Sequence, residues 1–297
     1  MRYRPLGEVG SAVSAITLTL DAAVAVTGAN GIRNLIDTAV EEGVNSFFID
    51  SLDPTLIRTA GEVLRQVERD LLHIALTLGP LPNGKRNFTP EGLSAVTGAV
   101  RKASGLGYID SVILDDPSET ELPSQSLKTL RADTRIKRLG LRGNSEVMEV
   151  YINSGRFDVL FTPSHIQMDA RQRSCLRSAR DQQMIVFSTD YFPKSLLVAP
   201  KRPAAPEAQK GLFGLGRKKV VAEEVTNPFA FLYSTPGWEA EDLCLAHALL
   251  DPSLAGVIVH APNVERLKRL AKACERDMPV SLPAQLEMAR VTSSRAA

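Results

Sequence analysis

Six aspartates lie at or just beyond the carboxyl ends of predicted strands, where their side chains could do chemistry. They are Asp21, Asp50, Asp53, Asp115, Asp116 and Asp190. Parallel strands bring their carboxyl ends to one side of a fold, so we expect these carboxylates near one mouth. Such a cluster could bind Mg²⁺ or transfer protons. The sequence lacks the histidine pairs of hydrolytic metal sites, and helix-capping aspartates explain most of these positions, so we predict no metal.

The composition is typical of a globular protein in a cytoplasm. The chain has 297 residues, a formal net charge of +1 and 44% hydrophobic residues. Near-zero charge predicts no general attraction to nucleic acid or acidic membranes. No apolar run has the length of a membrane span, and the N-terminus lacks the apolar core of a signal peptide. The three scattered cysteines favour reduced thiols, and the four histidines show no metal-ligand spacing.

Short β-branched runs alternate with stretches of helical periodicity along the chain. The pattern predicts strands at 12–20, 46–50, 72–78, 108–115, 136–141, 157–162, 184–188 and 255–260. It predicts helices at about 31–42, 55–69, 91–104, 124–133, 145–154, 168–181, 238–250 and 263–276. Eight such units predict one α/β domain, a closed (β/α)₈ barrel over 1–285. The alternative is an open doubly wound sheet, but its glycine-rich first turn is missing.

Two segments fall outside this alternation. Residues 286–297 end in "VTSSRAA" and predict a disordered tail. Residues 200–228 predict a flexible basic loop inserted after the seventh strand. Between 201 and 219 it has six basic residues against one acid, Glu207. The loop is either a solvated insertion or a recognition loop, for which "GLFGLGRKK" would suit an acidic protein surface or a membrane.

Several phrases of the sequence resemble the aldo-keto reductase superfamily, in the order in which that family has them. They are "MRYRPLGEVGSAVSAITLTL" (1–20), "LIDTAVEEGVNSFFIDS" (35–51), "LGYIDSVILDDP" (106–117), "IKRLGLRGNS" (136–145) and "RQRSCLRSARDQQMIVFST" (171–189). The resemblance covers nearly the whole chain. It implies a (β/α)₈ barrel that binds a nicotinamide cofactor, NAD(H) or NADP(H), across its C-terminal mouth.

The resemblance implies a damaged catalytic set. Reductases of this family use an Asp, a Tyr, a Lys and a His, and the tyrosine gives a proton to the carbonyl as hydride arrives. Local matching places the Asp at Asp50, but the other three positions hold Thr55, Thr77 and Asp115. A threonine hydroxyl cannot replace a tuned phenol, and Asp115 would repel a developing alkoxide. We expect no ordinary carbonyl reductase activity and, without a lysine at Thr77, no ionic partner for Asp50.

The positions that the family uses for the cofactor are partly changed. The glycine-rich phrase after the first strand is "TLTL" (17–20), and the carboxamide-binding Ser-Asn pair is Arg142-Gly143. The aromatic that stacks on nicotinamide falls on Ser188, and the neighbouring glutamine falls on Phe161. The last unit keeps "VIVHAPNVERLKRL" (257–270) and adds His260, Arg266 and Arg269 to the expected cofactor residues, beside Asp50. The alternative is that both arginines form a solvated helix face.

A reductase-like barrel without its catalytic set resembles the oxidoreductase-like cell-division regulators of alphaproteobacteria. That resemblance implies action on an FtsZ-like division protein and on a DivJ-like sensor histidine kinase. It also implies proteolysis by a ClpXP-type protease that reads the C-terminal Ala296 and Ala297. Two alternatives stay open. One is an oxidoreductase with altered acid–base chemistry at Asp50, Asp115 or Asp116, and the other is a scaffold that binds no ligand.

Overall fold

The computed structural model describes residues 1–7, 11–197 and 228–296. Apart from Pro228, the basic loop predicted at 200–228 lies outside the described residues, and so does Ala297. The role predicted for that loop therefore stays a prediction.

Eight parallel strands close into a barrel. They are β3 (Ile16–Leu20), β4 (Ser46–Ile49), β5 (His73–Leu78), β6 (Ile109–Asp115), β7 (Ile136–Arg142), β8 (Val159–Pro163), β9 (Ile185–Thr189) and β10 (Leu254–Val259). Closure is complete because β10 pairs with β9 on one side and β3 on the other. The predicted (β/α)₈ barrel is confirmed and the open sheet is excluded. The predicted first strand is divided, however, since Ala12–Ser14 (β2) forms an antiparallel hairpin with Tyr3–Pro5 (β1).

Helices surround the barrel and join its strands. They are α1 (Ala22–Ala25), α2 (Gly28–Glu41), α3 (Pro54–Leu64), α4 (Pro90–Ser104), α5 (Ser124–Ala132), α6 (Met148–Asn153), α7 (Ala170–Asp181), α8 (Ala240–Ala248), α9 (Val264–Ala273) and α10 (Leu282–Ala296). Local chemistry fixes several of their starts. Asp21 and Asp53 accept hydrogen bonds from the backbone of the first turns of α1 and α3 at 3.0 and 2.9 Å. Thr89 caps α4 in the same way, and Pro90 follows it.

Two apolar layers stabilise the barrel. One fills its interior, where Phe161 packs edge-to-face on Phe48 and Phe187 with ring centroids 5.0 and 5.1 Å apart. Leu6 and Val13 of the hairpin close this interior from the amino ends of the strands. The other layer lies between the strands and the helices. A packed interior leaves the carboxyl ends of the strands as the place where side chains can meet a ligand.

The C-terminal segment differs from its prediction as a disordered tail. Residues 282–296 form α10, and Leu282, Leu286 and Ala289 are buried. These residues are spaced four and three apart, so they share one helix face that packs on the barrel. The prediction of a disordered tail rested on the polar residues after residue 290 and did not take account of this apolar spacing. Among the described residues, none of the helices is long and apolar enough to cross a bilayer.

Candidate functional site

Three charged side chains meet at the barrel mouth, and we call them the mouth cluster: Asp50, Asp115 and Arg142. Asp50 follows β4, whereas Asp115 and Arg142 end β6 and β7. Arg142 donates through Nη1 to Asp50 at 2.7 Å and through Nε to Asp115 at 2.6 Å. Thr77 of β5 donates its hydroxyl to the other oxygen of Asp50 at 2.5 Å. One guanidinium therefore holds two carboxylates.

The mouth cluster is largely shielded from water. The side chains of Asp50, Arg142 and Asp115 are 17%, 24% and 28% exposed. The Arg142 guanidinium carbon lies 5.3 Å from the centre of the Phe48 ring, which forms the floor of the mouth. Burial alone would lower the pKa of Arg142, but the hydrogen bonds and charges of Asp115 and Asp50 outweigh it and raise the pKa. The cation is therefore permanent and has no proton to give.

This pairing corrects the expectation that Asp50 has no ionic partner. That expectation looked for the partner on β5, where the resemblance places the family's lysine at the position of Thr77. The partner comes instead from β7, across the mouth, because Arg142 ends that strand with its side chain inside the barrel. Alternation along β7 could have indicated this, since Gly140 lies against the interior residue Ile113 and Arg142 is two residues further on.

The remaining position of the reductase set lies apart from the mouth cluster. Thr55 is the second residue of α3 and is exposed. Within the described residues, its hydroxyl makes no hydrogen bond to Asp50 or Asp115. The mouth cluster itself contains no phenol, ammonium or imidazole. It can hold charge and bind polar groups, but it offers no proton donor tuned for carbonyl reduction.

Asp116, another of the mouth aspartates, has structural partners. Asp116 accepts a hydrogen bond from Ser145 at 2.5 Å, and Arg86 donates to the backbone carbonyls of Asp115 and Asp116. Gly143 has φ of +155°, and a side chain there would collide with the Asp116 carboxylate, which explains the glycine. Within the described residues, no three His, Cys, Asp or Glu side chains are arranged to hold a metal ion.

An imidazole–carboxylate pair lies at the rim of the mouth. Nδ1 of His260, which follows β10, is 3.0 Å from the carboxylate of Asp21, which follows β3. Burial raises the pKa of Asp21, but the hydrogen bonds from His260 and the Val24 amide lower it more, so the net shift is downward. His260 is 57% exposed and can meet a ligand. Both residues can be recognised in the sequence as candidates for the mouth, but their pairing depends on barrel closure, which brings the ends of β3 and β10 together.

Arg266 and Arg269 are engaged in a network that we call the α8–α9 clasp: Tyr191, Glu241, Asp242, Arg266 and Arg269. Arg266 binds one Glu241 oxygen at 2.6 Å, and Arg269 binds the other oxygen and Asp242. Tyr191 donates its buried hydroxyl to Glu241 at 2.7 Å. Burial raises the pKa of Glu241, but the hydrogen bonds from these three donors lower it by more. The net shift is downward, so the carboxylate stays ionised. The arginines are neither a solvated face nor free cations.

The residues predicted for a nicotinamide cofactor do not form one set. Asp50 and Arg142 are joined in the mouth cluster, and His260 lies at the rim. Ser188 is fully buried and donates to the Ser164 carbonyl at 3.0 Å, so its hydroxyl is already engaged. A phosphate group at α9 would have to displace Glu241. As they stand, the two α9 arginines do not fit an adenosine phosphate.

A large cavity lies at the opposite end of the barrel. It has a volume of about 790 Å³ and lies between the hairpin and the amino ends of the strands, with His73 at its wall. Both nitrogens of His73 have partners, at 3.0 Å from the hydroxyls of Ser46 and Ser111. Burial, with smaller contributions from neighbouring cations, lowers the pKa of His73 to about 4. The neutral ring uses both nitrogens in hydrogen bonds to neighbouring strands, so it is a structural part of the barrel interior. We therefore assign the functional site to the mouth at the other end.

Comparisons with known proteins support the fold. No protein-family model matches the chain, and no curated protein matches it. The chain is similar to the solved structure of aldo-keto reductase AKR11C1 from Bacillus halodurans in its holo form, with a TM-score of 0.76 and 15% sequence identity. The apo form of that protein gives a TM-score of 0.69, again with 15% identity. Each alignment covers 97% of this chain and 96% of the other. The chain therefore has the (β/α)₈ barrel fold of the aldo-keto reductases.

Proposed function

We propose that this protein is a regulator that keeps a reductase-type barrel but not reductase chemistry. The observation that carries the proposal is the mouth cluster, in which the single cation of Arg142 binds both Asp50 and Asp115. Reduction of a carbonyl needs a proton donor beside the oxygen that receives negative charge. Arg142 keeps its proton, Asp115 presents a carboxylate where a neutral donor is needed, and Thr55 is on the surface of α3.

The ligand that we propose for the mouth is a nicotinamide nucleotide, bound without turnover. The reductase-type fold supports this class of ligand. The α8–α9 clasp favours NAD(H) over NADP(H), because Glu241 and Asp242 already neutralise Arg266 and Arg269. An added phosphate would meet carboxylates at that place. NAD(H) would then bind through its remaining groups and need no free arginine there.

The partners that we propose follow from the resemblance of the sequence to KidO, the oxidoreductase-like regulator of alphaproteobacteria. They are an FtsZ-like division protein, whose assembly the protein would control, and a DivJ-like sensor histidine kinase, which it would restrain. A ClpXP-type protease would limit its lifetime by reading the small apolar end at Ala296 and Ala297. The resemblance and the lost catalytic set are what support these partners.

A second candidate is an active NAD(P)H-dependent oxidoreductase with a different acid–base group. The pair of His260 and Asp21 favours it, because a carboxylate-oriented imidazole at a barrel mouth is a competent proton donor. The mouth cluster would then bind and orient the substrate rather than transfer a proton.

One experiment separates the two candidates. NADH and NADPH are titrated into the purified full chain while energy transfer from the single tryptophan, Trp238, is followed. A panel of aldehydes, ketones and quinones is then tested for cofactor oxidation on the same sample. Saturable binding without turnover supports the regulator. Turnover that His260→Gln abolishes and Thr55→Ala leaves intact supports the second candidate, and absence of binding refutes the proposed ligand.

A further inference from the structure

The ring of helices around the barrel has a gap between α5 and α6. Each of α2, α3 and α4 packs on the next helix, and α6 packs on α7, but α5 and α6 make few contacts with each other. The cause is local, because α6 has only six residues. A groove with a volume of about 570 Å³ remains there, which we call the α5–α6 groove.

A comparable gap between α7 and α8 is filled by the chain itself. Leu286 and Arg290 of α10 lie beside Arg173 of α7 and His247 of α8, where a cavity of only about 60 Å³ remains. An added helix is thus the way in which this fold closes one gap in its outer ring. None of the described elements performs that role at the α5–α6 groove.

The α5–α6 groove is basic. Ser124, Leu127, Lys128 and Arg131 form one face of α5, and Gly155 and Arg156 form the facing wall. No acidic side chain is among these lining residues. Lys128 and Arg156 are exposed, and neither side chain forms an ion pair with any of the described residues.

The third cation of the groove is held in place. Arg131 pairs with Asp158 at 2.8 Å and donates to the Arg156 carbonyl at 2.9 Å. These contacts fix the Arg131 fork beside the turn at Gly155, which has φ of +65° and brings Arg156 round to the groove. Asp158 offsets one charge, so the groove keeps a surplus of two cations. Leu127 is 8% exposed and gives the groove a small apolar floor.

We propose that the α5–α6 groove binds an acidic peptide segment of a partner protein, with carboxylates on either side of an apolar residue. Charge complementarity selects the carboxylates, which would meet Lys128, Arg131 and Arg156. The apolar residue would cover Leu127. This proposal is independent of nucleotide binding at the mouth, because the groove lies on the outer wall of the barrel.

The test uses a fluorescein-labelled peptide of glutamates with one central leucine and measures fluorescence anisotropy with the full chain. The double variant Lys128→Glu/Arg156→Glu should bind at least about tenfold more weakly, since it reverses two cations. The control is Lys102→Glu/Lys272→Glu, which makes the same change in net charge at exposed helix ends. We expect the control to bind like the wild type, and raised salt should weaken wild-type binding.

Three results would overturn the proposal. The first is wild-type affinity in the groove variant, which would place the peptide elsewhere on the chain. The second is an equal loss in both double variants, which would make the attraction a matter of net charge only. The third is unchanged affinity for a peptide whose leucine is replaced by serine, which would remove the role of Leu127. Circular dichroism of the variants confirms that each is folded.

Discussion

Replacing Arg142 by methionine tests the central feature of the barrel mouth. Arg142→Met keeps most of the apolar volume but removes the cation shared by Asp50 and Asp115. A hydrogen bond to a charged group contributes about 1.5–3 kcal/mol, and breaking a fully buried ion pair costs about 3–5 kcal/mol. The three side chains are 17–28% exposed, so water screens part of this effect. We expect a loss of about 3 kcal/mol in the free energy of unfolding, at the low end of the range for a buried ion pair.

Urea denaturation, followed by circular dichroism and Trp238 fluorescence, measures the change. The matched control is Arg33→Met, which removes an exposed pair with Glu62 at 2.7 Å and should cost less than about 1 kcal/mol. The double variant Arg142→Met/Asp115→Asn should be more stable than Arg142→Met alone. It removes one of the two carboxylates that would otherwise repel each other.

Two results would refute this reasoning about the mouth. If Arg142→Met were as stable as Arg33→Met, the mouth cluster would not be an energetic unit of the folded chain. If the added Asp115→Asn change lowered the stability further, repulsion between the carboxylates would not be the cause of the loss. In either case the pairing with Arg142 would not be what stabilises Asp50 at the barrel mouth.

Three further predictions follow from other parts of the molecule. Glu241→Gln should tighten NADPH binding about tenfold relative to NADH in a Trp238 titration, because it weakens the carboxylate hold on Arg266 and Arg269; an unchanged ratio would contradict the role of the α8–α9 clasp. The pKa of about 4 for buried His73 lies below its unfolded value of about 6.5, so the stability that the neutral ring supports is complete above pH ~6.5 and is lost as the pH falls towards 4. His73→Asn should remove up to about 3 kcal/mol of the change in unfolding free energy between pH ~6.5 and 4. Identical profiles of unfolding free energy against pH for the variant and the wild type would contradict this prediction. Burial raises the pKa of the thiols of Cys175, Cys244 and Cys274, to about 12 in the last two. A thiol reagent at pH 8 should therefore label none of them in the native chain and all of them in urea. Rapid labelling of the native chain would contradict their buried positions.

The sequence by itself determined the architecture. Eight β-branched runs alternate with helical periodicity, and this order is sufficient for the (β/α)₈ barrel because each unit is a local pattern. Capping residues such as Asp53 and Thr89 act within one helical turn, so the sequence also located helix starts. The resemblance to the reductases likewise predicts that Thr55, Thr77 and Asp115 stand where a reductase needs other residues.

Only the tertiary structure decided which charges meet. Asp50 and Arg142 are separated by 92 positions in the chain, yet barrel closure brings them to 2.7 Å. Glu241 similarly reaches Arg266 from another helix, which changes two apparent phosphate ligands into members of an internal network. The C-terminal helix packs on the barrel through Leu282, Leu286 and Ala289, and only the folded chain shows which surface these residues meet. Ion pairs and helix docking depend on distances between residues that are far apart in the chain. Those distances are set only when the chain closes into its barrel, so they cannot be read from the sequence.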